Sequence, residues 1–407
     1  MMWLKFALRN IYKNRRRSAA TILAVALGFC SISLFHGYTQ ETYDGVATSI
    51  IHGAGVGHLT IFKQGFSERG RLEPEKYLFN EQEVSEIQNM VTSLPHVVLA
   101  TPRLNVAGLV SNGKISTIFL AQGVVPEDDA QLRGIFMADD GGLDSDTPSA
   151  VQMASDLAAI LELAPGDNAV IMGNTLLGMV NALDVDVRNI YNTGVDATND
   201  KFIRMPLTHA QLFYDTQGAD KLVVLLNDIQ YIPMVKQQLQ TLAVRKALDI
   251  EIKTWDELSA FYHQLKTMFD MIFLFIFIIV IIVAVMSVIN TMSMTVIERI
   301  REIGTLRAIG VRRAGIKWLF SVEGGVLGMI GSMVGIIMTL LVHYLIKAMA
   351  LTFTPPSSTA VVTLNVQLDM GFMLVLSLLL ILLALLSAFF PAKRAASSAI
   401  VDTLGHV

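Results

Sequence analysis

Val296-Ile-Glu-Arg-Ile-Arg-Glu-Ile-Gly-Thr-Leu-Arg-Ala-Ile-Gly310 is a short, densely charged segment set between two apolar runs. The run before it carries no charge from Met271 to Ile297, and the run after it is rich in glycine. Charges packed this closely against apolar spans belong on the cytoplasmic side of a membrane. Ile297, Ile300, Ile303 and Leu306 recur at threes and predict one apolar edge. Glu298/Arg301 and Arg299/Glu302 are spaced to pair at i, i+3, and Gly310 is a stop signal. A lipid-surface helix would explain the arginines. Glu298 and Glu302 weaken attraction to anionic lipid, so a protein partner accounts better for both signs.

The composition agrees with a membrane protein. Of 407 residues, 53% are hydrophobic and 16% charged, and the mean hydropathy is +0.52. A soluble domain carries more charge than this. The net charge of −4 is small, but basic residues cluster at the N-terminus and from Arg299 to Lys317, while acidic ones dominate between Glu41 and Glu257. The single Cys30 excludes a disulfide within the chain and makes no cysteine metal site.

Four runs can cross a hydrocarbon core of about 30 Å, which takes roughly 20 helical residues: 18–40, 267–294, 319–344 and 370–391. Lys13 and Arg15 to Arg17 before the first, the arginine-rich segment 295–318 between the second and third, and Lys393 and Arg394 after the fourth predict cytoplasmic termini. Residues 1–17 and 392–407 are then cytoplasmic ends, and 345–369 an outer loop. The first run is long for a cleaved signal peptide, and Gly37-Tyr-Thr-Gln-Glu-Thr offers no small-x-small site, so it is read as a retained span.

Residues 41–266 form an exported domain of mixed α/β character, with two subdomains as one option. Strands are expected at His58–Phe62, Leu104–Val110, Ile115–Leu120, Ala169–Gly173, Lys221–Leu226 and Ile250–Thr254, with a helix from Tyr231 to Ala243. Asn112-Gly113 signals a two-residue hairpin. Asn174 is placed to cap a following helix. Pro126 to Asp167, rich in Asp, Gly, Ser and Pro, reads as a long loop or a weakly packed insertion, and as a candidate subdomain boundary. Leu258, Phe261, Tyr262 and Leu265 recur at helical spacing, so the second span is expected to continue as a stalk. The predicted fold is four transmembrane α-helices with this domain inserted between helices 1 and 2.

Motifs of independent catalysis are missing. There is no GxxxxGK[ST] loop: at Gly310 to Lys317, Ile316 stands where the lysine belongs. No HExxH, GxSxG or CxxC occurs. His52 and His58 bracket Gly53, Gly55 and Gly57, a pattern better explained by a glycine-permitted bend before a strand than by a metal or phosphate site. Asp139, Asp140, Asp144 and Asp146 lack the ordering of a calcium loop and read as a solvated loop. Glu323 falls early in the third span, without the further intramembrane carboxylates a proton relay needs. A structural ion pair, with the arginine-rich segment as a candidate partner, is favoured. Gly324/Gly328 and Gly331/Gly335 are GxxxG pairs that let another helix approach closely, either within this chain or at a subunit interface.

Glu298 to Gly310 resembles the E-R-x-R-E-I-G-x-L-R-A-[IL]-G pattern of the FtsX/MacB/LolC-LolE family of ABC-transporter permeases. The glycine-rich Glu323 to Gly335, the opening Phe6-Ala-Leu-Arg-Asn10 and Asn14-Arg-Arg-Arg17, and the closing Pro391-Ala-Lys-Arg-Ala395 and Asp402-Thr-Leu404 are similar to the same family, although the closing pattern's later proline is missing. The resemblance implies a non-enzymatic bacterial inner-membrane subunit. It implies a cytoplasmic ABC ATPase dimer that holds ATP and Mg, leaving this chain without a cofactor, and a second permease, identical or homologous. The bilayer and a periplasmic carrier or adaptor are further expected partners, and nucleic acid is not. An ATP-driven coupling role is carried to Glu298, Arg299, Arg301, Glu302, Gly304, Arg307 and Gly310. Glu323, Gly324, Gly328, Gly331 and Gly335 take structural roles. Gly57-His-Leu-Thr-Ile61 and Thr254-Trp-Asp-Glu-Leu258 with Phe261-Tyr262 look like the lipoprotein-release branch, and the lack of a fused ATPase departs from the macrolide exporters. The expected function is extraction or export of a lipidated or amphipathic substrate such as a lipoprotein. The alternatives are mechanical regulation of an extracellular hydrolase, or periplasmic drug or peptide efflux.

Overall fold

The computed structural model describes residues 9–12, 14–70, 73–134, 142–144, 146–194, 196–354 and 362–397. In chain order the main elements are helix α1 (Arg15–Thr48), strand β1 (Leu59–Lys63), α2 (Glu81–Thr92), β2 (Val97–Ser111), β3 (Ser116–Val124), α3 (Pro126–Arg133), β4 (Ala150–Ala154), β5 (Asn168–Asn174), β6 (Val180–Tyr191), β7 (Phe202–Pro206), α4 (Leu207–Tyr214), β8 (Lys221–Leu226), α5 (Ile232–Arg245) and β9 (Ile250–Thr254). Then follow α6 (Ala260–Glu298), α7 (Ile300–Ala308), α8 (Arg313–Met349) and α9 (Met370–Ser397). The chain divides into two compact units: Met1–Tyr43, Leu265–Leu351 and Thr363–Val407 form one, and Asp44–Gln264 with Thr352–Val362 the other.

In the first unit α1, α6, α8 and α9 are each long and apolar enough to cross a membrane. Their shared core contains Val25, Phe29 and Ile32 of α1, Ala284, Val288 and Met292 of α6, Leu327 of α8, and Leu376, Leu380 and Ala384 of α9. The glycines of α8 set how closely its neighbours lie. A Cβ at Gly324 or Gly328 would stand 2.5 Å or 2.7 Å from the methyl of Ala388 or Ala384 on α9, and one at Gly331 or Gly335 would meet Val25 or Phe29 of α1 at 2.7 Å. Both GxxxG pairs are therefore filled from within the chain, one by each neighbouring helix.

The second unit is built on a β-sheet of order β3-β7-β4-β6-β5-β2-β8-β1-β9, in which β2 also pairs with β3. That extra pairing closes six strands into a barrel around Val106, Phe119, Met153, Ile171, Val187, Ile203 and Phe213. Among the described strand pairs of this sheet, only β3–β7 and β4–β6 run parallel. The remaining strands, β9-β1-β8-β2, with α2 and α5, make a βαββαβ unit of the ferredoxin-like kind. Its own core includes Leu59, Ile61, Ile87, Val91, Val223, Val235 and Leu239. The fifteen-residue β2 serves both cores. Val97 to Arg103 pair with β8, and Leu104 to Ser111 with β3. The α2 helix opens on a capping box in which Asn80 and Glu83 satisfy each other's backbone N–H groups.

Several sequence expectations change here. Among the described residues of Pro126 to Asp167 are α3, a short helix and β4, a barrel strand with every residue buried, where a long loop or a weakly packed insertion was expected. The division between cores falls instead where β2 passes Arg103 and Leu104. Asn174 caps no helix, because Thr175 N–H bonds to the Met179 carbonyl at 2.7 Å and turns the chain into β6. The β7 strand was not anticipated. The turn at Asn112-Gly113 spans four residues, with Asn112 Oδ1 accepting from the N–H groups of Lys114 and Ile115. Trp255 to Leu258 form a turn, so the helix leading into the second span starts only at Ala260.

Candidate coupling site

The charged segment folds as a short helix between two membrane helices. Arg299, with φ −109° and ψ 17°, breaks the backbone between α6 and α7. Gly310, with φ +103°, ends the turn after α7 in a conformation that favours glycine. The break changes the expected apolar edge: Ile303 is buried, whereas Ile297, left on α6, is 62% exposed. Ile303 seats with Val296 of α6, Ile316 and Phe320 of α8 and Ala392 of α9. Gly304 is buried beside it.

Arg299 organises the polar side. Its Nε and Nη2 donate to the two carboxylate oxygens of Glu302 at 2.7 Å and 2.9 Å, a bidentate fork. Its Nη1 lies 3.4 Å from Glu323 Oε2, and its guanidinium sits 5.5 Å over the Phe320 ring. The bond to Glu302 holds the guanidinium above its ordinary pKa, fully charged. Glu323 is only 2% exposed and takes a second hydrogen bond from Asn10 Nδ2 at 3.4 Å. One arginine thus ties the first turn of α7 to a buried carboxylate of α8.

Glu298 does not join this set. It ion-pairs with Arg17 at the start of α1, 2.5 Å away, because the break at Arg299 places it on a different helix from Arg301. Lys317 reaches over Phe389 of α9 at 5.4 Å. The three basic clusters therefore meet at one end of the helix bundle. Arg301 and Glu302 are exposed and Arg307 half-buried. Ile309 is 78% exposed at the end of the segment. The family-like motifs contain Asn10, Arg17 and Ile309, but spacing does not show that Asn10 meets Glu323 and Arg17 meets Glu298, 313 and 281 residues apart in the chain, or that Ile309 stands exposed.

The histidine and aspartate candidates lie elsewhere. His58 Nδ1 accepts the N–H of Leu226 at 3.1 Å, and burial lowers its pKa to about 4. His52 Nδ1 lies 2.7 Å from the Leu132 carbonyl oxygen, and the two rings meet edge to face. Gly55 and Gly57 both have φ near +70°, supporting the bend. Asp144 accepts the Asp146 N–H; Asp139 and Asp140 lie outside the described residues, as do Phe6 to Leu8 and Asp402 to Leu404. Cys30 is buried in the bundle.

A four-helix membrane bundle with a mixed α/β domain inserted after its first helix and a short amphipathic helix between its second and third is the architecture of a multi-pass membrane protein. Residues 18–242 match the MacB-like periplasmic core domain, and residues 274–400 the FtsX-like permease C-terminal domain. The chain belongs to the MacB/FtsX-type permeases of ABC transporters. It is 24% identical to a macrolide export ATP-binding/permease protein of Paracoccus denitrificans over 86% of this chain and 52% of that one. It is 30% identical to an uncharacterized ABC transporter permease of Methanocaldococcus jannaschii over 28% of this chain and 27% of that one. The chain thus spans about half or less of the curated relatives it matches. The periplasmic region of MacB from Actinobacillus actinomycetemcomitans matches 50% of this chain and 92% of that structure, with 16% identity and a TM-score of 0.38.

Proposed function

We propose that this chain is the membrane subunit of an ABC machine whose ATP and Mg sit on a partner ATPase dimer. The α7 helix lies on the cytoplasmic face of a bacterial inner membrane and receives the ATPase stroke. The carrying observation is the Arg299 clamp: a push on Glu302 or Ile309 reaches Glu323 and α8 through a charged fork rather than through a loose loop. A second permease completes the assembly, and the inserted domain works a lipidated or amphipathic substrate such as a lipoprotein, handing it to a periplasmic carrier or adaptor. Efflux of a drug-like molecule is the second reading, favoured by the similarity to the macrolide export protein of Paracoccus denitrificans.

Reversing Glu302 to Arg tests the clamp. The complex should still assemble, while substrate movement per ATP hydrolysed falls at least about tenfold, the effect of losing a charge-assisted pair and adding a repulsion. Unchanged coupling in that variant would refute the assignment.

A further inference from the structure

The end of the bundle that carries α7 holds cations that no carboxylate answers. Glu298 is taken by Arg17, and Glu302 and Glu323 by Arg299. Arg313 and Lys317, in the first two turns of α8, and Lys393, near the end of α9, have no carboxylate at ion-pair distance among the described residues. The two helices run antiparallel and close, with Gly324 against Ala388 and Gly328 against Ala384, and Ile316 and Ala392 share a buried cluster. Beside that cluster the Lys317 ammonium lies 5.4 Å over the Phe389 ring. One turn nearer the bundle end stand Arg313 on α8 and Lys393 on α9. Three cations from two helices therefore flank one contact.

An apolar track leads up to it. Leu382, Leu386 and Phe389 precede Lys393 at steps of four, three and four, which is one face of α9. They are 52%, 50% and 40% exposed. Trp318, next to Lys317 and 56% exposed, stands at the level where indole rings sit between hydrocarbon and headgroups. A protein docked on the bundle end would use the cations but not the track running from them into the hydrocarbon layer. A phosphate carried on an acyl chain uses both. We infer that the α8/α9 edge binds an acidic phospholipid. Its acyl chain lies along Leu382, Leu386 and Phe389, and its headgroup phosphate sits among Arg313, Lys317 and Lys393. The site is independent of what the subunit transports.

The test uses the full chain with its ATPase, reconstituted in vesicles. Trp3 and Trp255 are replaced by Phe, which leaves Trp318 as the chain's one tryptophan. Bromine on an acyl chain quenches a tryptophan that it touches. Brominated phosphatidylglycerol should be preferred over brominated phosphatidylcholine roughly 5- to 30-fold, the gain from one or two cations at an anionic headgroup. Arg313→Gln combined with Lys317→Gln should remove that preference without lowering the melting temperature, and Lys317→Arg should keep it. Lys347→Gln, a charge loss at the opposite end of α8, should leave it unchanged, and so should excess inorganic phosphate. Equal quenching by the two lipids overturns the proposal. A loss of preference in Lys347→Gln would make it a matter of total charge, and cancellation by phosphate would assign the cations to a free anion; either result overturns the lipid site. If the bound ATPase shields Trp318 from both lipids, a protein covers this face and the proposal falls.

Discussion

Arg103 shows what a single buried charge does in this molecule. It is 1% exposed at the point where β2 passes from one core to the other. Its guanidinium pairs with Asp129 of α3 at 2.5 Å and donates to Gln122 of β3. Asp129 in turn faces Arg204 of β7 at 4.0 Å, and Arg204 donates to Gln152 of β4 at 2.8 Å while lying 4.2 Å over the Tyr191 ring. Replacing Arg103 by Met leaves Asp129 with its nearest positive partner removed. We expect a loss of about 3–5 kcal/mol, read from denaturation in detergent of a full chain whose Trp3 and Trp318 are replaced by Phe, so that fluorescence reports Trp255. His58 sets a pH dependence. Burial holds its folded pKa at about 4, below the ordinary histidine value of 6.5, so an unfolded chain takes up a proton first as pH falls. Stability from this group is complete above about pH 6.5 and is lost progressively as pH drops to about 4, some 3 kcal/mol in all. His58→Gln keeps an acceptor for the Leu226 N–H but cannot titrate, so its stability profile should be flatter across that window. An equal slope in the variant would remove His58 as the cause.

At the scale of elements, close packing governs the bundle. Gly335→Val would drive a branched side chain into Phe29, whose Cβ lies 2.7 Å from the position of the added carbon. The expected destabilisation is about 1–3 kcal/mol, seen as a lower melting temperature of the purified chain, with no comparable change for Gly113→Ala, where nothing lies within 4 Å beyond the cost of its positive φ. The sequence made the long helices plain because each carries an uninterrupted apolar run, and the charged interval from Glu298 to Gly310 stood out against them. Strands with local turn signals, such as β2 and β3 around Asn112-Gly113, were equally readable. What could not be read were elements whose meaning comes from distant partners. The β4 strand, Ala150–Ala154, sits between Asp-rich and polar stretches and is held only by β6 and β7. The β7 strand owes its place to β3 and β4 in the closed barrel. For the coupling site, the Arg299–Glu302 pair follows from spacing, but the choice of Arg17 for Glu298 depends on how α1 packs, and no local pattern encodes that.

For the whole molecule, the proposed function is mechanical: force applied to α7 by an ATPase would become a change in the inserted α/β domain. The long helices α1 and α6 each run beyond their apolar cores, α1 to Thr48 and α6 from Ala260. Hydrogen exchange of the intact complex, compared without nucleotide and trapped with a non-hydrolysable ATP analogue, measures the transmission directly. Trapping should alter exchange in β2, which serves both cores, and in its partner β8, and Glu302→Arg should abolish that response while leaving nucleotide binding intact. Identical exchange in both states, or a full response in the Glu302→Arg complex, would contradict the account.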